Sequence, residues 1–399
     1  MKKYYLCGPT VYNYVHIGNM RPILTFDLMI RAQRFLGEDV FFLHNITDID
    51  DKIINKALAE QKTEKEIAEY YTEQYLQMLK AYNIEIPNKI AKVTEHLDTI
   101  YDFINDLITT NNAYKDGVNV FFDVIKNKDF YGEVSNQKIS KMNFDQENLN
   151  KQHPADFTLW KDTKIGIKYD APFGTGRPGW HTECVAMIKR YFGNETIDIH
   201  GGGSDLTFPH HENENIQFRA LTNNPLAKQW IHFGTINMNN EKMSKSLGNI
   251  LLAKDYLNSF SADSLRLIFL TASYTKPINI TDELMVSNQN MIEKFNVAIK
   301  KIFLEDIQQE INQDIIKQAV ENVGLLNFAQ AMKIIHDQYK QKQYRNLYMI
   351  LKALGFNIAS ETITDEDKQM YQNWKLQIEN KNYEEADKLR EALKQRKLI

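Results

Sequence analysis

His210 and Glu214 stand four residues apart in the run Phe208-Pro209-His210-His211-Glu212-Asn213-Glu214. If that run is helical, an imidazole and a carboxylate meet on one face. An ordinary surface pair has the same spacing, so the pair alone does not make a metal site. The two cysteines of the chain, Cys7 and Cys184, change the weighing. Cys7 ends Tyr4-Tyr5-Leu6-Cys7, which reads as a short strand, at the carboxyl edge where parallel sheets bind ligands. Cys184 lies in the helix predicted after Trp180, one element before the turn Gly201-Gly202-Gly203. Neither belongs to a CxxC pair, and two buried apolar thiols are an equally simple reading of them. Two thiolates, one imidazole and one carboxylate nevertheless suit zinc in chemistry and in number.

A second chemistry is written in His16-Ile17-Gly18-Asn19 and in Lys242-Met243-Ser244-Lys245-Ser246. Gly8-Pro9-Thr10 breaks the first strand, and His16 precedes a helix predicted from about Met20. A strand, loop and helix in this order offer phosphate a helix N-terminus with free N–H groups and partial positive charge. Pro22 then falls in the first turn, where a missing N–H costs nothing. The three glycines at 201–203 let a ligand approach the backbone closely. Asp205 reads either as an acceptor for a ribose hydroxyl or as a cap of the next helix. Asp48, Asp50 and Asp51 suggest Mg²⁺, but caps and solvated surface explain them as well.

These groups need a scaffold. Strand-like Val40-Phe41-Phe42-Leu43 follows the first helix, whose end is marked by Gly37, and a long helical stretch then runs to about Tyr82. Alternation of strand and helix predicts a parallel sheet. Beyond Pro87, Leu97, Ile100, Ile104 and Leu107 recur at helical spacing, followed by the partly alternating 118–124 and the short β run 157–160. This stretch reads as a small mixed α/β module inserted into the sheet domain. Strands are then expected at 196–200 and 230–237, with turn residues Asn239 and Asn240 leading to Lys242. After Thr281 the pattern is wholly helical, with Met291, Phe295, Ala298 and Ile302 on one face and Leu347, Leu351 and Leu354 on another, closed by Gly355. The expected division is 1–86 and 171–280 for the two halves of the sheet domain, 87–170 for the insertion and 281–399 for the helices. With 399 residues, roughly two to four domains are expected. No apolar run approaches the roughly 20 residues of a membrane helix, and no signal-like stretch follows Met1-Lys2-Lys3, so a soluble cytoplasmic protein is expected. A net charge of −4 argues against indiscriminate nucleic-acid binding, while the mostly basic run from Lys388 to Lys397 leaves room for one RNA.

The paired signatures around His16 and Lys242 resemble the HIGH and KMSKS elements of class I aminoacyl-tRNA synthetases. The runs Cys7-Gly8-Pro9-Thr10-Val11-Tyr12, Asn45-Ile46-Thr47-Asp48-Ile49-Asp50-Asp51-Lys52-Ile53, Gly176-Arg177-Pro178-Gly179-Trp180-His181-Thr182-Glu183-Cys184 and His200-Gly201-Gly202-Gly203-Ser204-Asp205-Leu206, with the His210 run, resemble cysteinyl-tRNA synthetases from about residue 4 to 275. The resemblance implies a Rossmann-type catalytic domain and a helical region that docks tRNA. It implies one zinc held by Cys7, Cys184, His210 and Glu214, binding the thiolate of substrate cysteine. Thr10, Thr47, Trp180 and His200 are expected around that cysteine. His16, Gly18, Asn19, Gly202, Gly203, Asp205 and Lys245 are expected around ATP, with Mg²⁺. His16, Asn19, Lys242 and Lys245 are the expected catalytic residues, and a monomer is the family expectation. His211 and Glu212 read as bland, supporting or surface residues. Three departures stand out: Asn19 replaces the second histidine of the motif, the leader before the first strand is nearly absent, and the carboxyl end is short. Two other readings share these residues. One is a ligase joining cysteine to an amino sugar in mycothiol synthesis, and the other is a catalytically silent tRNA-binding paralogue.

Overall fold

The computed structural model describes residues 1–142, 150–243 and 247–399. The chain divides into two compact units, one of Met1–Pro22, Val40–Met78 and Ile86–Thr235, the other of Ile23–Asp39, Leu79–Glu85 and Ile236–Ile399. The elements up to the end of the first unit are β1 (Lys2–Leu6), α1 (Ile17–Phe35), β2 (Val40–Ile46), α2 (Asp51–Glu60), α3 (Glu64–Ala81), β3 (Lys89–Lys92) and α4 (Leu97–Thr109). They continue with β4 (Ala113–Asp116), β5 (Asn119–Phe122), β6 (Phe157–Lys161), β7 (Tyr169–Ala171) and β8 (Gly174–Pro178). Last come α5 (Trp180–Phe192), β9 (Ile197–Gly203), α6 (Glu212–Thr222) and β10 (Ala227–Phe233).

Strands β10, β9, β1, β2 and β3 lie side by side in that order, all parallel. Leu6 stands opposite His44 on one side and Gly201 on the other. The chain leaves β1 for β2 on one flank and later fills the other flank with β9. That makes the carboxyl ends of β1 and β9 the switch point, where open sheets take ligands. Strands β4, β5, β6, β8 and β7 form a separate antiparallel sheet. Tyr5, Leu43, Ile104, Val120, Trp160, Val185 and Ile197 belong to one buried apolar cluster within this unit.

Several local expectations need correction. The insertion does not begin at 87, because Ile90 and Ala91 pair with His44 and Asn45 in the parallel sheet, and its antiparallel sheet extends to Pro178. A four-residue strand with one buried residue carries too little periodicity to be seen in the sequence. Helix α1 opens at Ile17, a turn earlier than Met20. His16 N donates to Asn19 Oδ1 at 3.1 Å and Asn19 N to His16 Nδ1 at 3.3 Å, a reciprocal capping pair. Pro22 therefore lies inside the helix rather than in its first turn. The helical stretch to Tyr82 is two helices, separated where Gln61 turns left-handed at φ 54°. The expected strand at 230–237 is also two strands, in different sheets.

The second unit carries β11 (Ile236–Met238), β12 (Glu241–Lys242), α7 (Ala253–Tyr256), α8 (Ala262–Thr271) and β13 (Ile278–Ile280). Beyond these, every described α or β element is a helix: α9 (Asp282–Leu304), α10 (Gln313–Gly324), α11 (Phe328–Lys340), α12 (Tyr344–Ala353), α13 (Asp365–Glu379) and α14 (Tyr383–Gln395). Thr281 caps α9 by accepting from Leu284 N, which is why the helical pattern begins there. Asn239 and Asn240, at φ 50° and 69°, turn β11 into β12 and set Asn237 opposite Lys242. Phe295, Ala298, Ile302, Leu347, Leu351 and Leu354 are all buried, as their spacing predicts. No described helix is long and apolar enough to cross a membrane.

A buried ion pair braces this unit. Arg266 Nη1 meets Asp27 Oδ2 at 2.5 Å, and Arg266 Nη2 donates to the carbonyls of Tyr82 and Asn83 at 3.0 Å each. Removing one partner of such a pair strands buried polar groups, so Arg266→Ala should lower the unfolding free energy by about 3–5 kcal/mol. Urea titration checks this; a change under about 1 kcal/mol would show the pair is dispensable.

Candidate active site

The sheet's switch point brings the sequence-predicted metal residues together. Cys7 directly follows β1, with its N–H on Gly201 O at 3.0 Å. Gly8 must be glycine, because a Cβ there would lie 1.7 Å from Asn45 O. Cys184 comes from α5, Glu214 from α6, and His210 from the irregular turn Thr207–His211 that leads into α6. Sulfur to sulfur, Cys7 and Cys184 are 4.0 Å apart. Cys184 Sγ is 3.6 Å from His210 Nε2, Cys7 Sγ is 3.8 Å from Glu214 Oε1, and His210 Nε2 is 2.7 Å from Glu214 Oε1. All four ligand atoms lie within 4.8 Å of one another. A tetrahedral zinc with Zn–S near 2.3 Å separates two sulfurs by about 3.8 Å, so the two thiols are spaced for that ion, while His210 and Glu214 stand at hydrogen-bond distance. Cys7, His200, His211 and Glu214 form a second, overlapping group of the same compactness.

Burial makes this arrangement demanding. Cys184, His200, His210, His211 and Glu214 are all buried. Burial pushes the Cys7 thiol well above its usual range, whereas hydrogen bonding from Cys7 lowers that of Cys184. Burial opposes charge on His210, but Glu214 and Cys184 outweigh it and lift the imidazole to about 10. Glu214 is held well below its usual range because the charges of His210 and His200 overcome its own burial. His200 Nε2 and Glu214 Oε2 lie 2.6 Å apart in the interior, and Nδ1 of His200 is buried without a hydrogen-bond partner among the described residues. Two thiols, a carboxylate and the imidazole of His210 gathered around one point are a donor set that a cation satisfies.

The expected cysteine-side residues surround the same point. Thr10 and Thr47 form a parallel bridge just beyond β1 and β2. Thr47 is buried and donates to Glu183 Oε2 at 3.3 Å. Trp180 is 42% exposed and stacks on His210, with ring centres 4.3 Å apart. On the nucleotide side, the capping pair uses Asn19 Oδ1 and leaves the Asn19 amide N–H₂ as a donor. Asp205 is exposed and makes no capping hydrogen bond among the described residues. Gly202 serves a neighbour: a Cβ there would meet the His211 ring at 2.7 Å. Gly18 is half-buried in the first turn of α1, and Gly203 ends β9. Lys242 is exposed on β12 in the second unit, and Lys245 lies outside the described residues.

The aspartates 48, 50 and 51 are engaged by protein. Asp48 accepts from Thr94 N at 2.9 Å, Asp50 caps α2, and Asp51 pairs with Lys161 and Arg177 at 3.0 and 2.7 Å. Sequence reasoning missed three histidine contacts: His181 Nδ1 is 3.1 Å from His210 Nδ1, His211 Nδ1 is 2.9 Å from His232 Nε2, and His211 Nε2 is 3.5 Å from Cys7 Sγ. The first of these fixes the ring whose Nε2 faces Cys184. Burial holds His181 at about 3 and His232 at about 4, so both rings are neutral. Glu212 is not a surface residue. It is fully buried and accepts from the N–H groups of Gly132, Val134 and Ser135 at 2.8, 3.2 and 2.8 Å. One face of α6 thus turns Glu214 toward the candidate metal set while another clamps a loop of the insertion.

Residues 1–290 match the model of the tRNA synthetases class I (C) catalytic domain. The cysteine–tRNA ligase of Malacoplasma penetrans is 42% identical over 100% of this chain and 95% of its own length. That of Mesomycoplasma hyopneumoniae strain 232 is 43% identical over 98% and 96%. Among solved structures, Mycobacterium tuberculosis methionyl-tRNA synthetase in complex with methionyl-adenylate superposes with a TM-score of 0.64 at 16% identity, covering 90% of each chain. The Agrobacterium radiobacter K84 LeuRS–tRNA–LeuAMS complex gives 0.67 at 10% identity, over 90% of this chain and 84% of the other. These two likenesses speak for the fold, and the closer relatives for the family: the chain belongs to the cysteine–tRNA ligases, within the class I synthetases.

Proposed function

We propose that this enzyme activates cysteine with ATP and transfers it to the 3′ end of tRNA(Cys), acting as a cytoplasmic monomer. The observation that carries the reading is the convergence of Cys7, Cys184, His210 and Glu214 at the carboxyl end of β1. Those four residues would hold one zinc, which supplies a soft, thiolate-selecting coordination position. Between the two available groups we favour this one, because it uses both thiols.

The chain's own residues do the rest. Thr10, Thr47, Trp180 and His200 would enclose the cysteine, with Trp180 as its cover. His16 and Asn19, with Gly18, Gly202, Gly203 and Asp205, would hold ATP and its Mg²⁺. The cysteine carboxylate attacks the α-phosphate in line and pyrophosphate leaves. No general base is needed, since the carboxylate is already ionised; position and charge suffice. Lys242 and Lys245 would neutralise charge on the departing pyrophosphate. The terminal ribose hydroxyl of tRNA then takes the cysteinyl group.

The helices of the second unit would dock the tRNA. The basic end of α14 is paired, Lys388 with Glu384, Lys394 with Glu391 and Arg396 with Glu366. Exposed pairs of this kind are worth little and re-pair readily with phosphate. Deleting the chain after Asp365 should therefore lower tRNA charging by at least about tenfold while adenylate formation changes by less than about twofold. Equal loss of both activities would mean that α13 and α14 serve folding instead. Cysteine-dependent exchange of pyrophosphate into ATP, followed by charging of tRNA, tests the whole reading. Exchange without charging would favour the amino-sugar ligase, and absence of exchange would favour the silent paralogue.

A further inference from the structure

We infer that Glu183 is the counter-charge for the ammonium group of the amino-acid substrate, and that with Thr47 it forms the subsite distinguishing an amino acid from other thiols. The inference rests on the function proposed above and deepens it. Trp180 and Glu183 are three residues apart on α5, hence on one face of the helix. Both line a cleft of about 340 Å³, whose wall also carries Lys52 and the cations Lys161 and Arg177, the last two paired with Asp51. Trp180 joins this wall to the metal-ligand set by stacking on His210, and Cys184 is the residue after Glu183. In cysteine the sulfur and nitrogen sit on adjacent carbons. The Glu183 carboxyl lies within electrostatic reach of both Cys184 and His210, so the ammonium of a cysteine whose sulfur sits at that set falls toward Glu183.

Glu183 lacks what an ammonium supplies. It is 1% exposed, burial pushes its carboxyl well above the usual range, and among the described residues it has a single hydrogen-bond partner, Thr47 Oγ1 at 3.3 Å, and no ion-pair partner. A carboxylate accepts about four hydrogen bonds, and an ammonium brings three donors with the opposite charge. The neighbouring acids are differently placed: Asp48 is taken by Thr94, Asp50 by the α2 cap, and Asp51 by Lys161 and Arg177. Glu183 is thus the buried acid of this wall that has neither a cation nor a backbone donor. A purely structural Glu183, acting only to orient Thr47, would serve every thiol ligand alike.

Calorimetry on the zinc-loaded protein separates these roles, using cysteine and 3-mercaptopropionate, which keeps the thiol and carboxylate but lacks the ammonium. Wild type should bind cysteine at least about 30-fold more tightly than 3-mercaptopropionate, the range of a desolvated charge pair. Glu183→Gln should lose most of that ratio: cysteine weakens about 30-fold and 3-mercaptopropionate changes by less than about threefold. Equal weakening of both ligands, or of neither, overturns the inference. If Glu183→Gln fails to fold, shown by lost zinc, Glu183→Asp replaces it; a narrowed ratio supports the assignment and an unchanged one overturns it. A wild-type protein that binds neither zinc nor cysteine would instead overturn the proposed function.

Discussion

Cys184→Ser and His210→Ala should each raise the KM for cysteine in pyrophosphate exchange by at least about 100-fold, with zinc falling well below one per chain. The KM for ATP should move by less than about threefold in the same variants, since ATP is read by other residues. The disproportion follows from the geometry. Cys184 Sγ and His210 Nε2 are 3.6 Å apart and are both ligand atoms of one compact set. Removing either leaves Cys7 and the buried Glu214 with an incomplete donor set and weakens the ion that recognises the thiol. Serine and cysteine have nearly the same shape, so a pocket sensing size alone would separate them poorly. A coordinated thiol loses its proton readily, whereas an alcohol is harder and far less acidic. Variants that keep full zinc and bind cysteine normally would remove these two residues from the account.

Lys245→Ala should lower the rate of cysteine-dependent pyrophosphate exchange by about 10²–10³, with cysteine affinity nearly unchanged. Charge that develops on the leaving pyrophosphate is a transition-state feature, so its partner acts on kcat rather than on ground-state binding. Equal losses in both parameters would mean that Lys245 serves substrate binding or folding.

The convergence of Cys7, Cys184, His210 and Glu214 was legible because its clues were local or scarce. His210 and Glu214 are one helical turn apart, and the chain has two cysteines to consider. The parallel sheet was legible from alternation, and the Asn239-Asn240 turn from its left-handed residues. What escaped depends on contacts between distant segments. His181 and His232 carry no spacing signal toward His210 and His211, which they meet only because α5 and β10 flank the turn before α6. Glu212 looks like any helical glutamate until the N–H groups of 132, 134 and 135 close around it. Gly202 reads from sequence as close approach for a nucleotide, and only the fold shows that a Cβ there would also meet the His211 ring. Helix α1 was started too late because a histidine and an asparagine are an uncommon capping pair, and Pro22 drew the boundary toward itself.

X-ray absorption at the zinc edge, on purified protein with and without cysteine, tests the central claim most directly. The account predicts one zinc per chain whose shell holds the sulfurs of Cys7 and Cys184 with nitrogen and oxygen from His210 and Glu214. Saturating cysteine should add one more sulfur, while serine at the same concentration should leave the shell unchanged. An active enzyme without zinc, or a sulfur shell that cysteine does not alter, would contradict it.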